Sequence, residues 1–110
     1  MVTFQESRMQ IHVNSDHNIA GHEPLAEFVR GTVQHALGHF SDHITRVDVH
    51  LSDENGRKRG PDDKRCVMEA HVAGHQPLVV THHAETVGEA ADGAAGALAR
   101  LIAKTLERLR

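Results

Sequence analysis

Aromatic side chains are almost absent from this sequence. Its 110 residues include no tryptophan, no tyrosine and only three phenylalanines, Phe4, Phe28 and Phe40. A protein that binds single-stranded nucleic acid by stacking bases needs exposed aromatic rings, so the composition disfavours that class. The hydrophobic core must instead be built from valine, leucine, isoleucine, alanine and methionine.

Cysteine is nearly missing as well, since Cys66 is the only one in the chain. A single cysteine excludes an internal disulfide and is typical of a protein that works in a reducing cytosol. Cys66 occupies an apolar position in an alternating pattern, which predicts a buried structural thiol rather than a nucleophile.

Long apolar runs do not occur. Residues 1–20 lack the apolar segment of a signal peptide, and no stretch approaches the roughly 18 apolar residues of a transmembrane helix. We therefore expect a soluble, cytoplasmic protein that does not enter a membrane. The length is that of one domain, residues 1–110, with enough surface to bury one modest core.

The chain also lacks an overall positive charge. Its formal net charge is −3 with histidine neutral, which excludes a uniformly basic nucleic-acid-binding protein. Positive charge is nevertheless concentrated in residues 57–65 and residues 99–110, which each carry a net charge of +3. Salt screens charges farther away than about 8–10 Å, so such segments can bind phosphate groups despite an acidic surrounding.

The pattern of apolar residues predicts four strands and two helices. Apolar and polar residues alternate in residues 9–13, 47–51 and 66–72, and residues 78–83, after a turn, are predicted to be a fourth strand. Helical spacing predicts helices over residues 23–41 and 86–109, the second opening with a Thr86–Glu89 capping box. The order β-α-β-β-β-α predicts an α+β fold, a four-stranded mixed sheet with both helices packed on one face.

This fold makes specific predictions about burial and mobility. We expect seven side chains to be buried: Phe28, Val29, Phe40, Val49, Met68, Leu98 and Leu101. The opposite face of the sheet should be wet, with the side chains of Gln10, His12, Asp48, His50, Glu69 and His71. Residues 1–7 are expected to be a flexible tail and residues 54–63 a mobile loop.

The two basic segments each allow two interpretations. In the last helix Arg100, Lys104 and Arg108 recur every four residues, opposite the apolar stripe. They can grip phosphate, or they can be the solvated face of an ordinary surface helix. The basic segment of residues 57–65 is either a solvated hairpin or an arm that folds onto RNA phosphates.

The ordered set of elements resembles the short hibernation-promoting factor and ribosome-associated inhibitor family of bacteria. The resemblance covers residues 9–108 and rests on four segments: residues 9–13, residues 25–29, residues 40–47 and residues 92–104. It implies a stress protein that binds the small ribosomal subunit in the channel for messenger and transfer RNA and inhibits translation by occlusion. It also implies no catalysis, no cofactor and no small-molecule substrate. We expect a monomer, because the chain lacks the C-terminal dimerisation domain of longer family members.

The resemblance further implies an rRNA-binding surface. Its members are Arg30, Arg57, Lys58, Arg59, Lys64, Arg65, Arg100, Lys104 and Arg108. Family members are usually lysine-rich along both helices, whereas the first helix here offers Arg30 among acidic residues. We therefore expect weaker ribosome binding than in lysine-rich relatives, and tighter binding as the pH falls and histidines gain charge.

Eleven histidines are unusual in a chain of this length. His35 and His39 are four residues apart on the first helix, a spacing that could hold a metal. No cysteine or fixed carboxylate accompanies them as a third ligand, so we expect no metal site there. If the strands align, His12, His50 and His71 share the open sheet face. These residues motivate an alternative function, a stand-alone regulatory binding protein on the same fold that responds to pH or metal. Alternatively, histidine simply occupies exposed positions. No serine or activated cysteine accompanies Asp48 and His71, so we do not expect an enzyme.

Overall fold

The structure is a computed structural model that describes residues 2–6, 9–16, 19, 22–54 and 63–109. Their elements are β1 (Val2–Glu6), β2 (Met9–Ser15), α1 (His22–Leu37), β3 (Ile44–Asp53), β4 (Lys64–Val72), β5 (Leu78–Ala84) and α2 (Val87–Arg108). A short 3-10 turn, Gly38–Phe40, follows α1. Neither helix of the described chain is long and apolar enough to cross a membrane.

The five strands form one mixed sheet in the order β1-β2-β3-β4-β5. The β2 and β3 strands run parallel, and the other neighbours are antiparallel. A parallel pair needs a crossover connection, which α1 provides. The α+β class and the mixed sheet are therefore as predicted from the sequence.

The predicted strand count is wrong, because the sheet has a fifth strand where a flexible tail was expected over residues 1–7. Val2–Glu6 pairs antiparallel with β2, with Phe4 opposite Ile11. Val2 and Phe4 are half-buried and pack against the core, while Thr3 and Gln5 are exposed. Two alternating apolar residues are a weak local signal for a strand. The segment becomes a strand through its hydrogen bonds with β2.

Both helices begin close to where the sequence predicts. Thr86 is the N-cap of α2, as the capping box indicates: its hydroxyl accepts the Glu89 N–H at 3.1 Å and donates to the Glu89 carboxylate at 2.9 Å. The α-helical part of α1 ends at Leu37, earlier than the predicted residue 41. The predicted mobile loop over residues 54–63 falls mainly on residues 55–62, which lie outside the described residues.

The core lies between the helices and one face of the sheet. Val29, Val49, Met68 and Leu98 are fully buried, as predicted. Phe28 was wrongly predicted to be buried and is 51% exposed, and Phe40 and Leu101 are only half-buried. The buried stripe of α1 consists of Ala26, Val29, Val33 and Leu37. Phe28 is about 100° around the helix from Val29, so it points to the side.

The other sheet face is polar, as predicted. Pairing places His12 beside Asp48 and Asp48 beside Glu69, while Asn14 neighbours His50. These side chains are exposed or half-exposed. Neither helix therefore covers this face, and α2 packs against β4 and β5 on the opposite one.

Candidate functional site

The outer face of α2 carries a row of three cations, the α2 stripe: Arg100, Lys104 and Arg108. All three are exposed, while Leu98 and Ile102 are fully buried beneath them. A rise of about 1.5 Å per residue separates successive members by about 6 Å along the axis. No acidic side chain of the described chain lies within ion-pair distance of the stripe. Its charge is therefore available to an external anion.

Arg30, the predicted phosphate ligand of α1, is engaged within the protein. Its Nε donates to Glu27 Oε1 at 3.1 Å, and its guanidinium carbon lies 5.8 Å from the centroid of the Phe4 ring. The contact ties α1 to the edge strand β1. Phosphate binding by Arg30 would have to compete with Glu27.

Lys64 and Arg65 also have carboxylate partners. Lys64 Nζ lies 2.9 Å from Asp63 Oδ1 and 3.3 Å from Asp53 Oδ2. The hydrogen bond with Asp63 raises the pKa of Lys64, Asp53 raises it further, and burial opposes both. Arg65 Nε lies 3.5 Å from Glu54, whose carboxylate also bonds the His83 ring at 3.1 Å. These two cations hold the ends of β3 and β4 together. The remaining members of the predicted surface, Arg57, Lys58 and Arg59, lie outside the described residues.

The open sheet face holds a compact charged cluster, defined by Arg46, Asp48, Glu69 and His71. His71 Nε2 lies 3.1 Å from Asp48 Oδ2 and 3.3 Å from Glu69 Oε1. Arg46 Nε donates to Asp48 at 3.1 Å, and its Nη2 lies 3.0 Å from His71 Nε2. One ligand atom from each of Asp48, Glu69 and His71 falls within 4.8 Å of the others, so the group could hold a cation. The Arg46 guanidinium already supplies positive charge there.

The two weak metal-ligand candidates of the first helix, His35 and His39, line different depressions. His35 is exposed on α1 and lines the space between the two helices. His39 lies in the 3-10 turn, where its ring is 4.0 Å from the Phe40 ring, and lines a different depression with His43. Among the described residues, the ligand atoms that lie close enough together to share a metal ion belong to the cluster on the sheet, in Asp48, Glu69 and His71. Alternation placed its members on one face, but only the strand register brings them together.

A groove runs between α1 and α2 on the outer surface. Its volume is 680 Å³, and it is lined by Glu27, Phe28, Gly31, Thr32, His35, Ala36, Asp92, Ala95 and Gly96. The Phe28 ring lies over Gly88, where an added Cβ would be 3.5 Å away. Sequence reasoning missed this groove because it assigned Phe28 to the core.

Comparison with known proteins gives one family and one fold. Residues 11–110 match the model of the family described as Sigma 54 modulation protein / S30EA ribosomal protein. The Thermus thermophilus Protein Y N-terminal domain is 16% identical, with a TM-score of 0.66, covering 91% of this chain and 98% of that one. A ribosomal subunit interface protein from Coxiella burnetii is 11% identical, with a TM-score of 0.72, covering 88% and 97%. No curated protein sequence matches significantly. At these identities the structural matches show the fold alone.

Proposed function

This chain belongs to the Sigma 54 modulation protein / S30EA ribosomal protein family, and on that premise we propose that it binds the small ribosomal subunit and inhibits translation by occlusion. The membership confirms the family resemblance found in the sequence. It suggests ribosome association and a hibernation-type role. Small-subunit binding and inhibition are the proposal.

The α2 stripe is the single observation that carries the binding mode. Arg100, Lys104 and Arg108 stand on a helix fixed by its buried side, so their spacing is set before RNA arrives. Charged side chains at this spacing suit an RNA backbone and carry little sequence information. Occlusion needs only a bound domain of sufficient bulk, so no catalytic group is required.

The other predicted rRNA contacts are proposed to contribute less. Arg30 and Arg65 have carboxylate partners, and exchanging such a partner for phosphate returns little free energy at the surface. Lys64 is held by the almost fully buried carboxylates of Asp63 and Asp53. Arg57, Lys58 and Arg59 stay predicted contacts.

The test compares two triple variants with the same loss of positive charge. R100Q/K104Q/R108Q removes the α2 stripe, and R30Q/R46Q/R65Q removes three cations that have partners. Binding to purified small subunits is measured over a salt series, with circular dichroism to confirm folding. The stripe variant should bind more weakly, and its salt dependence should flatten by about one unit of slope per cation. The control should keep a slope closer to wild type.

Two results would overturn the proposal. Equal affinities and slopes for the wild type and the stripe variant would remove α2 from the interface. Failure of the wild type to bind small subunits at low salt, at pH 6 as well as pH 7.5, would reject ribosome binding. Inhibition is checked separately by adding the protein to a cell-free translation reaction, where the stripe variant should inhibit less than the wild type.

A second candidate function rests on the cluster of Arg46, Asp48, Glu69 and His71. We propose it as the site through which a regulatory binding protein on this fold would respond to metal. The short separations among its nitrogen and carboxylate oxygens support this candidate. Calorimetric titration with Zn²⁺ tests it, with H71A as the ligand-deficient variant and H50A as the control on the same face. Absence of saturable heat with the wild type would reject it.

A further inference from the structure

The outer surface of the two helices is divided by charge along its length. The Phe28 ring of α1 lies against Gly88 at the start of α2, and the turn after α1 shares a depression with Ala103 and Leu106. The helices therefore run side by side in the same direction. Their first halves expose four carboxylates beside the one cation Arg30, those of Glu23, Glu27, Glu89 and Asp92. The second half of α2 exposes the three cations of the α2 stripe beside the one carboxylate of Glu107.

The groove lies in the acidic half. Gly31, Ala95 and Gly96 are small, which leaves space between the helices, and Phe28 provides an aromatic wall that is 51% exposed. Glu27 and Asp92 line the groove from opposite helices. Few large apolar side chains of the described chain are this exposed, the others being Val79 and Leu109. An apolar floor between two carboxylates is suited to a ligand that is both apolar and cationic.

We propose that this groove binds a cationic segment of another protein, with one apolar side chain packed on Phe28 and lysine or arginine side chains paired with Glu27 and Asp92. This contact is additional to phosphate binding by the α2 stripe and does not depend on it. Arg30 contacts Glu27 through Oε1 at 3.1 Å, and a carboxylate has a second oxygen that can accept from a ligand lysine or arginine while that pair is kept.

Charge selects among the possible occupants. Four carboxylates on the first halves of the helices repel an RNA backbone, and a like-charge approach costs affinity. A second copy of the chain has a net charge of −3, which weakens its long-range attraction to this acidic half. Its α2 stripe could still reach the groove, so self-association is one outcome of the test. A basic, extended protein segment gains from both the carboxylates and the apolar wall.

The probe is a synthetic peptide with three lysines on each side of one leucine, compared with the same peptide carrying glycine in place of leucine. Calorimetry with the full chain at about 0.15 M salt, where charges farther away than about 8 Å are screened, measures binding, and amide chemical shifts locate it. The leucine peptide should bind more tightly than the glycine peptide and shift residues 27–36 and 92–96. F28A and E27Q/D92N should each weaken the leucine peptide about 10-fold, the second also reducing the salt dependence.

Matched controls separate this site from general attraction. V79A removes an equally exposed apolar side chain from the open sheet face, and D42N/E107Q removes two exposed carboxylates from the other end of the helices. Both should bind the leucine peptide like the wild type. R100Q/K104Q/R108Q should also bind it unchanged, so this site can fail or succeed independently of ribosome binding.

Four outcomes would overturn the proposal. The first is equal binding of the two peptides, and the second is equal weakening by the acidic control. The third is tighter binding of a single-stranded RNA to the same amides, which assigns the groove to RNA. The fourth is concentration-dependent sedimentation abolished by F28A, which assigns it to a second copy. Phe28 is largely exposed, so F28A should fold, as circular dichroism will verify.

Discussion

Lys64 lies at the start of β4 between two carboxylates that are almost fully buried. The side chain of Asp63 is 3% exposed and that of Asp53 is 8% exposed, and both reach the Lys64 ammonium. A buried carboxylate that loses its counter-charge keeps the cost of leaving water and no longer has the attraction that offsets it. Lys64 therefore stabilises the junction of β3 and β4.

Replacing Lys64 with methionine should lower the thermal midpoint because two almost fully buried carboxylates lose the ammonium that they share. D63N in the K64M background should recover part of the loss, since it removes one of these two negative charges. Thermal circular dichroism measures both, with R65M as the control for an exposed pair. A smaller effect for K64M than for R65M would contradict the structural role.

The same ion pair sets a pH dependence. The pKa of Lys64 is raised above its usual 10.5 by Asp63 and then Asp53. A raised pKa on a cation means that its stabilisation is complete below the usual value and is lost as pH rises through the raised one. The difference in thermal midpoint between wild type and K64M should therefore hold at neutral pH and shrink above about pH 10.5.

Cys66 should be inert to thiol reagents in the folded protein. Burial raises the pKa of its thiol from 9.0 to about 12, so at pH 8 the thiolate is about 1,000-fold rarer than in the unfolded chain. Alkylation by iodoacetamide, followed by mass spectrometry, should be at least about 100-fold slower without denaturant than with it. Comparable rates would show that β4 opens readily.

At the scale of elements, α2 passes very close to β5. A Cβ atom placed on Gly93 would lie 2.2 Å from the ring of His82, so glycine is required wherever that ring stays in place. The His82 side chain is exposed and can turn away at some cost. This makes Gly93 and His82 a coupled pair across the helix and the sheet.

A double-mutant cycle tests the coupling. With H82A, the G93A substitution should stabilise the protein by about 1 kcal/mol, because alanine favours a helix interior over glycine. With His82 present, G93A should be less stabilising than in the H82A background by at least about 0.5 kcal/mol, because the ring must move. Urea unfolding of the four proteins measures this. An identical effect of G93A in both backgrounds would mean that the ring does not restrict the helix.

Periodicity in the sequence was sufficient to predict four strands, both helices and the polar sheet face. It could not predict β1, because the two apolar residues Val2 and Phe4 are too weak a local signal, and the segment is a strand through its pairing with β2. It placed Phe28 in the core because an apolar residue near a helical stripe is normally counted with it. The angle of 100° between neighbouring residues puts its ring outside.

The candidate site was less predictable for a related reason. The α2 stripe follows from spacing within one helix, so it was visible in the sequence. The partners of Lys64 and Arg65 depend on the register between β3 and β4. In that register Asp53 lies opposite Lys64. Local sequence does not encode such cross-strand neighbours, so cations that bind their own protein could not be distinguished from free ones.

At the scale of the whole molecule, the eleven histidines make the net charge of the protein more positive as the pH falls. The isoelectric point is near 6.4, so the net charge changes sign between pH 7.5 and pH 6. Affinity for small subunits should therefore be higher at pH 6 than at pH 7.5 at equal salt. Sedimentation binding assays at the two pH values measure this.

The strand order, finally, determines how the domain can grow during synthesis. Neighbours in the sheet are neighbours in the chain, so each new strand adds to the free edge left by the previous one. No strand has to be inserted between two that are already paired. Synthesis proceeds from the N-terminus, so β1, β2 and α1 are made before β3, and the backbone edge of β2 that pairs with β3 stays open until β3 follows. The helix α2, which follows β5 in the chain, then covers β4 and β5 and closes the core.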